Sequence, residues 1–261
     1  MKKTGGFGFS ALGTRILHII IYLIFLIYSV YLVVTSNTTT AKITYSALAF
    51  IMLAVVIYYE CLQYKYEQAI KALNYDCDPE KGKQIFDDLQ KKDIVHGFKN
   101  QRVIYDVLYN LAIYNSPEVI SLINNNNKIF RGDLDQLFIR NVSLFLAYVE
   151  AGNRTAAKKA YPDILKLKGT KIKGKKLAKL YNWDELEALH YYVLGDNKKA
   201  VTSYEKVNPA FMNNREATQY YYYYALSLRN LGKTDEAKEL LNNIIEIANK
   251  LPVKQKAQDL L

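Results

Sequence analysis

Two stretches near the front of the chain break the usual mixing of apolar and polar positions. Ile16–Val34 and Ile43–Tyr59 contain no Asp, Glu, Lys or Arg, and a short polar link, Thr35–Lys42, separates them. As helices they reach roughly 25–28 Å, close to the ~30 Å hydrocarbon core of a bilayer. They predict a transmembrane helical hairpin over residues 16–61, preceded by a cytoplasmic N-terminal lead, residues 1–15. A secretory signal is the poorer reading, because the first run is too long, no A-x-A site follows it, and a second run comes straight after. A soluble core hairpin would carry a polar stripe, and Ile16–Val34 has almost none.

Beyond Glu60 the apolar positions recur on a helical period. The second run continues as a helix over Cys61–Leu73 and stops at Asn74–Pro79. Asp78-Pro79-Glu80 then supplies an N-cap, a proline at the first helical position and an early acid. Ile85, Phe86 and Leu89 mark one face of the next helix, another covers Val103–Tyr114, and Asn115-Ser116-Pro117-Glu118 is again a stop followed by a start. Asn124–Asn127 breaks a short helix, and Asp133–Glu150 is long and periodic.

The second half repeats itself. Phe145, Tyr148, Gly152, Ala157 and Tyr161 share their spacing with Ala188, Tyr191, Gly195, Ala200 and Tyr204, and with Ala225, Leu228, Gly232, Ala237 and Leu241. A period of about forty residues means stacked helix pairs. Each glycine can take the left-handed conformation that ends a helix, and each alanine lets two helices approach. Upstream, Leu108, Leu111, Asn115 and Ile120 keep the frame without glycine or alanine, and Cys77, Gly82 and Phe86 keep it more loosely.

These copies resemble the tetratricopeptide repeat (TPR), a helix–turn–helix unit. The third is closest, with Tyr221 at the usual tryptophan position, Tyr224 at the leucine position and Pro252 slightly late for the closing proline. The expected fold is therefore all-α: an N-terminal transmembrane hairpin, degenerate helical repeats over 62–130, and a TPR-like α-solenoid of helix pairs over 131–261. The resemblance implies a concave groove, lined by the first helix of each repeat, that receives a partner peptide. Its groove positions fall on Asn182, Glu185 and Tyr192 in the second copy and on Gln219, Tyr222, Arg229 and Asn230 in the third. In the first copy they fall on Val142, Leu146 and Val149, which read as packing. The family's carboxylate-binding set of lysines and arginines is not evident.

Composition and charge add direction. Few prolines and glycines argue against disorder and against a turn-rich β fold. The formal net charge is +10. Lys2, Lys3 and Arg15 precede the first apolar run and Lys65, Lys71, Lys81 and Lys83 follow the second, while the link offers only Lys42. The positive-inside rule then predicts a multi-pass protein of the cell membrane with both termini cytoplasmic. Lys166, Lys168, Lys171, Lys173, Lys175, Lys176 and Lys179 occur without an intervening acid, punctuated by Gly169 and Gly174. They read as a solvated loop between helices and, functionally, as the candidate for contact with anionic lipid. Nucleic acid is disfavoured, since the run has no arginine and no interleaved aromatic.

For catalysis the chain offers little. None of the sequence patterns G-x-S-x-G, G-x-x-x-x-G-K-[ST], H-E-x-x-H or C-x-x-C occurs. His190 reads as a partly buried helix histidine, and Asp133, Asp135, Asp184, Glu185 and Glu187 as helix-terminal acids. Cys61 reads as an unmodified interfacial cysteine ahead of an acylated one. Of the five consecutive tyrosines Tyr220–Tyr224, three are expected in the core. No catalytic residue, metal ligand or cofactor site is predicted. The expectation is a membrane-anchored adaptor that binds a protein partner. The rival, a small subunit of a transport or envelope assembly, puts the function in the hairpin, where His18 faces a neighbouring helix.

Overall fold

The computed structural model describes residues 8–172 and 175–261. Residues 1–7 of the predicted N-terminal lead, together with Lys173 and Gly174, lie outside the described residues, as do the side chains of residues 8–15. So do the side chains of His18, Lys175 and Lys176. The chain divides into two compact units, Met1–Glu67 and Gln68–Leu261.

The first unit holds α1 (Gly8–Thr35) and most of α2 (Thr39–Asn74), joined through Ser36–Thr38. The Tyr22 hydroxyl donates to Glu60 Oε1 at 3.4 Å. Both helices present apolar side chains outward: Val34 is 71% exposed, Phe50 73% and Ile27 68%. Among the described residues, α2 is long and apolar enough to cross a membrane, with none of its most apolar window buried. Ile20–Thr35 is a shorter apolar helix. The two predicted runs are thus helical, and one of them meets the length required of a span.

The second unit is helical: α3 (Pro79–Lys92), α4 (Lys99–Ala112), α5 (Ser116–Asn125), α6 (Asn127–Phe130), α7 (Leu134–Glu150), α8 (Arg154–Leu165), α9 (Trp183–Leu194), α10 (Asn197–Tyr204), α11 (Asn214–Asn230), α12 (Thr234–Ile247) and α13 (Val253–Gln258). Helices pack chiefly on their neighbours in the chain: α4 on α5, α7 on α8, α9 on α10, α11 on α12, and α8 and α10 on the helix that begins the next pair. One apolar core runs through them from Val107 to Tyr223.

The same turn recurs five times. Cys77, Tyr114, Gly152, Gly195 and Gly232 all have positive φ, and each stands two residues before the next helix begins. In the last four turns the following N–H returns to the carbonyl five residues back: Asn115 to Asn110, Asn153 to Tyr148, Asp196 to Tyr191 and Lys233 to Leu228, at 2.8–3.0 Å. This is the bond that caps a helix through a left-handed residue. The first turn differs slightly, with Asp78 N–H reaching Ala72. At this register the small-residue position holds Gly82, Val119, Ala157, Ala200 and Ala237. A Cβ on Gly82 would stand 2.5 Å from the Tyr105 hydroxyl, and Val119 and the three alanines are fully buried. The upstream frame is thereby corrected by one residue: Tyr114, not Asn115, occupies the glycine place, and Val119, not Ile120, the alanine place. A search for glycine could not find it, because a tyrosine holds the left-handed conformation.

The unit's two ends meet. Asn214 and Arg215 donate to the Tyr75 carbonyl (2.6 Å) and Asn74 Oδ1 (2.8 Å). Asn249 donates to the Asp76 carbonyl at 2.8 Å, and the Lys250 ammonium lies 2.7 Å from Asp78. That contact holds the Asp78 carboxyl below its ordinary range. A row of repeats touching only nearest neighbours would lack such bonds.

Two details depart from expectation. Within the lysine run the backbone forms a two-residue antiparallel ladder, β1 (Lys171–Ile172) with β2 (Lys175–Lys176), in place of an open loop. Of the five tyrosines, Tyr220 and Tyr223 are buried and the other three half-buried. A helix turns 100° per residue, so five consecutive rings cannot all face one core.

Candidate functional site

The repeated pairs bring one end of α9 and α11 close to the C-terminal end of α7. Arg215, in the first turn of α11, is buried, with its Nε on Asn74. Glu150, Glu185 and Glu216 all feel its charge. Burial pushes the Glu150 carboxyl up to about 8, against the pull of Lys256 and Arg215, and Ser116 Oγ donates to it at 3.5 Å. Burial pushes Glu185 up to about 8 as well, with neighbouring Glu216 adding to the rise and Arg215 opposing it. Glu216 is raised by burial, and its side chain closes the capping box of α11 by accepting from the Asn213 N–H at 3.4 Å. Near neutral pH the Glu150 and Glu185 carboxyls are substantially protonated, and act as hydrogen-bond donors as well as acceptors. Clusters of this kind mark functional sites and also structural networks.

A cavity of about 20 Å³, the room one water needs, opens beside this cluster. Tyr114, Glu150, Arg215, Gln219 and Val253 are among its walls. The Gln219 Nε2 is buried without a partner. From the C-terminal side Lys256 sits over the Tyr114 ring, 3.6 Å from its centroid.

The seven predicted groove residues divide. Glu185 and Gln219 belong to the buried cluster. Tyr192 and Tyr222 are half-buried, each packed edgewise or tilted on the Tyr223 ring at 5.4 Å. Asn182 is an N-cap: its Oδ1 accepts from the N–H groups of Asp184 (2.8 Å) and Glu185 (3.4 Å). Arg229 and Asn230 are exposed at the far end of α11, where Arg229 donates to the Leu260 carbonyl and Asn230 to Asn197 Oδ1 at 3.2 Å. Sequence reasoning missed Glu150, Arg215, Glu216 and Tyr114. A helix-terminal acid and a lone arginine carry no pattern until the ends of the unit meet.

The lysine run is only partly free. Lys166 pairs with Asp163 at 2.6 Å, and Lys168 lies over the Trp183 ring at 5.5 Å. Lys171 and Lys179 are exposed. The segment is pinned by the Ala178 N–H on Asp135 Oδ1 at 2.8 Å. His190 stacks on Tyr161, ring centroids 3.9 Å apart, and burial lowers its pKa, followed by the charge of Lys158. Cys61 is exposed and Cys77 buried. Asp133 caps α7 by accepting from Gln136. No protein-family model matches the chain, and no match was found among curated proteins or solved structures.

Proposed function

We propose that the protein is a membrane-anchored adaptor rather than an enzyme. In this reading α1 and α2 form a two-span hairpin in the cell membrane. The second unit is a TPR-like solenoid on the cytoplasmic side that binds a protein partner. The observation that carries it is the contrast of surfaces. The first unit turns Ile, Leu, Val and Phe outward along both helices, a surface that lipid accepts and water does not. The second buries the same residue types among helices joined by one recurring turn. The lysine flanks support the orientation. Tyr192, Tyr222, Arg229 and Asn230 supply aromatic area and polar handles of the kind that recur at binding surfaces, with Lys166, Lys168, Lys171 and Lys179 as exposed members of the basic run.

The test is site-specific photo-cross-linking in cells with the full chain. Probes at Tyr222 and Asn230 should capture one discrete protein, and a probe at exposed Glu239 should not. Equal capture at all three positions, or none at Tyr222 and Asn230, overturns the adaptor reading. Exchanging the hairpin for an unrelated two-span anchor should leave capture intact. Its loss would move the function into the hairpin.

A further inference from the structure

The turn between α3 and α4 carries Ile94 and Val95, 80% and 74% exposed; Ile94 is the most exposed large apolar side chain among the described residues. This turn is built. The buried Asp93 carboxylate accepts from the Gly97 N–H (3.0 Å) and the Phe98 N–H (2.8 Å), Phe98 is a buried plug, and His96 holds the left-handed conformation. Two apolar side chains are thus held out in a fixed shape. Around them Lys91, Lys92 and Lys99 are exposed, Lys92 reaching back to Asp88 at 3.3 Å. The one acid inside the turn, Asp93, is turned inward.

An apolar tip within a cationic collar fits a bilayer interface, where acyl chains take the tip and phosphates the lysines. It fits a protein less well, because two side chains supply a small part of the roughly 800 Å² per partner that a standard interface needs. We infer that Ile94 and Val95 dip into an anionic bilayer, with Lys91 and Lys99 on lipid phosphates. The inference rests on the anchored reading, which tethers the second unit to a bilayer and so raises the effective concentration of lipid. It adds a third lipid contact to the two helices.

The full chain with Cys61→Ser carries a bimane label at Val95→Cys or, separately, at Phe50→Cys in α2. Cys77 is buried and its thiol is pushed up to about 11, so it stays unlabelled. Each protein is placed in nanodiscs of phosphatidylcholine and phosphatidylglycerol containing lipids brominated either on the upper acyl carbons, since interfacial side chains reach about 5–10 Å into that boundary, or near the chain ends, for position 50 at the middle of its apolar run. Both labels should be quenched by bromolipid and shielded from aqueous iodide. Lys91→Ala with Lys99→Ala, or omission of phosphatidylglycerol, should cut quenching at position 95 by about five-fold and leave position 50 unchanged. Iodide quenching at 95 with bromolipid quenching at 50 overturns the inference and spares the anchor. Iodide quenching at both positions overturns both. Shielding of 95 from both quenchers points to a protein cover, which also overturns the lipid contact.

Discussion

The first two turns of the second unit and the last three reach one backbone conformation by different residues. At Gly152, Gly195 and Gly232 the left-handed conformation is free of steric cost, and a Cβ there would meet nothing within 4 Å. At Cys77 and Tyr114 the same conformation is held by residues that ordinarily avoid it. The difference shows that the turn is demanded by how the helices pack, and that glycine is one way of meeting the demand. At Tyr114 the side chain repays the strain: its ring walls the cavity and receives Lys256.

The largest expected effects lie in the early pairs, where contacts replace glycine. Tyr114→Gly relieves the backbone but removes a packed ring, so it should destabilise by about 2 kcal/mol, the ring's loss exceeding the strain relieved. Gly82→Ala should lose about 2–3 kcal/mol. Its Cβ must displace the hydroxyl of Tyr105, which is buried and stacked on Phe86 at 4.5 Å, and would also stand 3.0 Å from the Ala69 carbonyl. The chain's one tryptophan, Trp183, stacks on Phe138 inside the second unit and reports its unfolding in full-length protein in detergent. A Tyr114→Gly variant as stable as the parent would break the comparison.

The next effect is one of pH. Glu150 and Glu185 are raised from 4.5 to about 8 in the folded protein. Between those values the folded state holds protons that the unfolded state has released, so stability is fully present below about pH 4.5 and declines as pH climbs through 8. Allowing for residual solvent around both groups, the loss from pH 6 to 9 should be roughly 2 kcal/mol. Glu150→Gln with Glu185→Gln should reduce that slope, seen as a Trp183 melting temperature that falls less steeply with pH, the remainder belonging to Glu216. An unchanged slope would place the titration elsewhere.

Much of this fold was legible. The Gly152, Gly195 and Gly232 copies announced their pairs, because glycine there leaves a visible mark and the neighbouring Ala157, Ala200 and Ala237 confirm the frame. The apolar runs announced the first two helices. The register at Tyr114 was not legible, since strain offset by packing leaves no residue signature. The candidate site was legible in part: the groove positions led to Glu185 and Gln219, but Glu150 and Arg215 join them only because Asn74–Asp78 meets residues 214–215 and 249–250. Contacts so distant in the chain have no local period.

A gentler effect sharpens the comparison. Gly195→Ala should lose about 1 kcal/mol, all of it conformational, because the open space at that turn leaves no contact to lose or gain. Gly152→Ala and Gly232→Ala should match it, and a spread much wider than that among the three would mean that their turns are not equivalent.

The smallest effect is expected at Cys77→Gly, and it tests the argument from the other side. Cys77 has φ +50 and is fully buried. Glycine relieves about 1 kcal/mol of left-handed strain, yet it gives up the packed thiol and adds freedom to the unfolded chain. These terms nearly cancel, so the variant should melt within about 0.5 kcal/mol of the parent, between the clear loss at Tyr114→Gly and the gain that strain relief alone would give. A gain above 1 kcal/mol would mean that the first turn carries strain without compensation. A loss as large as that of Tyr114→Gly would make the thiol's packing, like the tyrosine ring, the reason glycine is absent there.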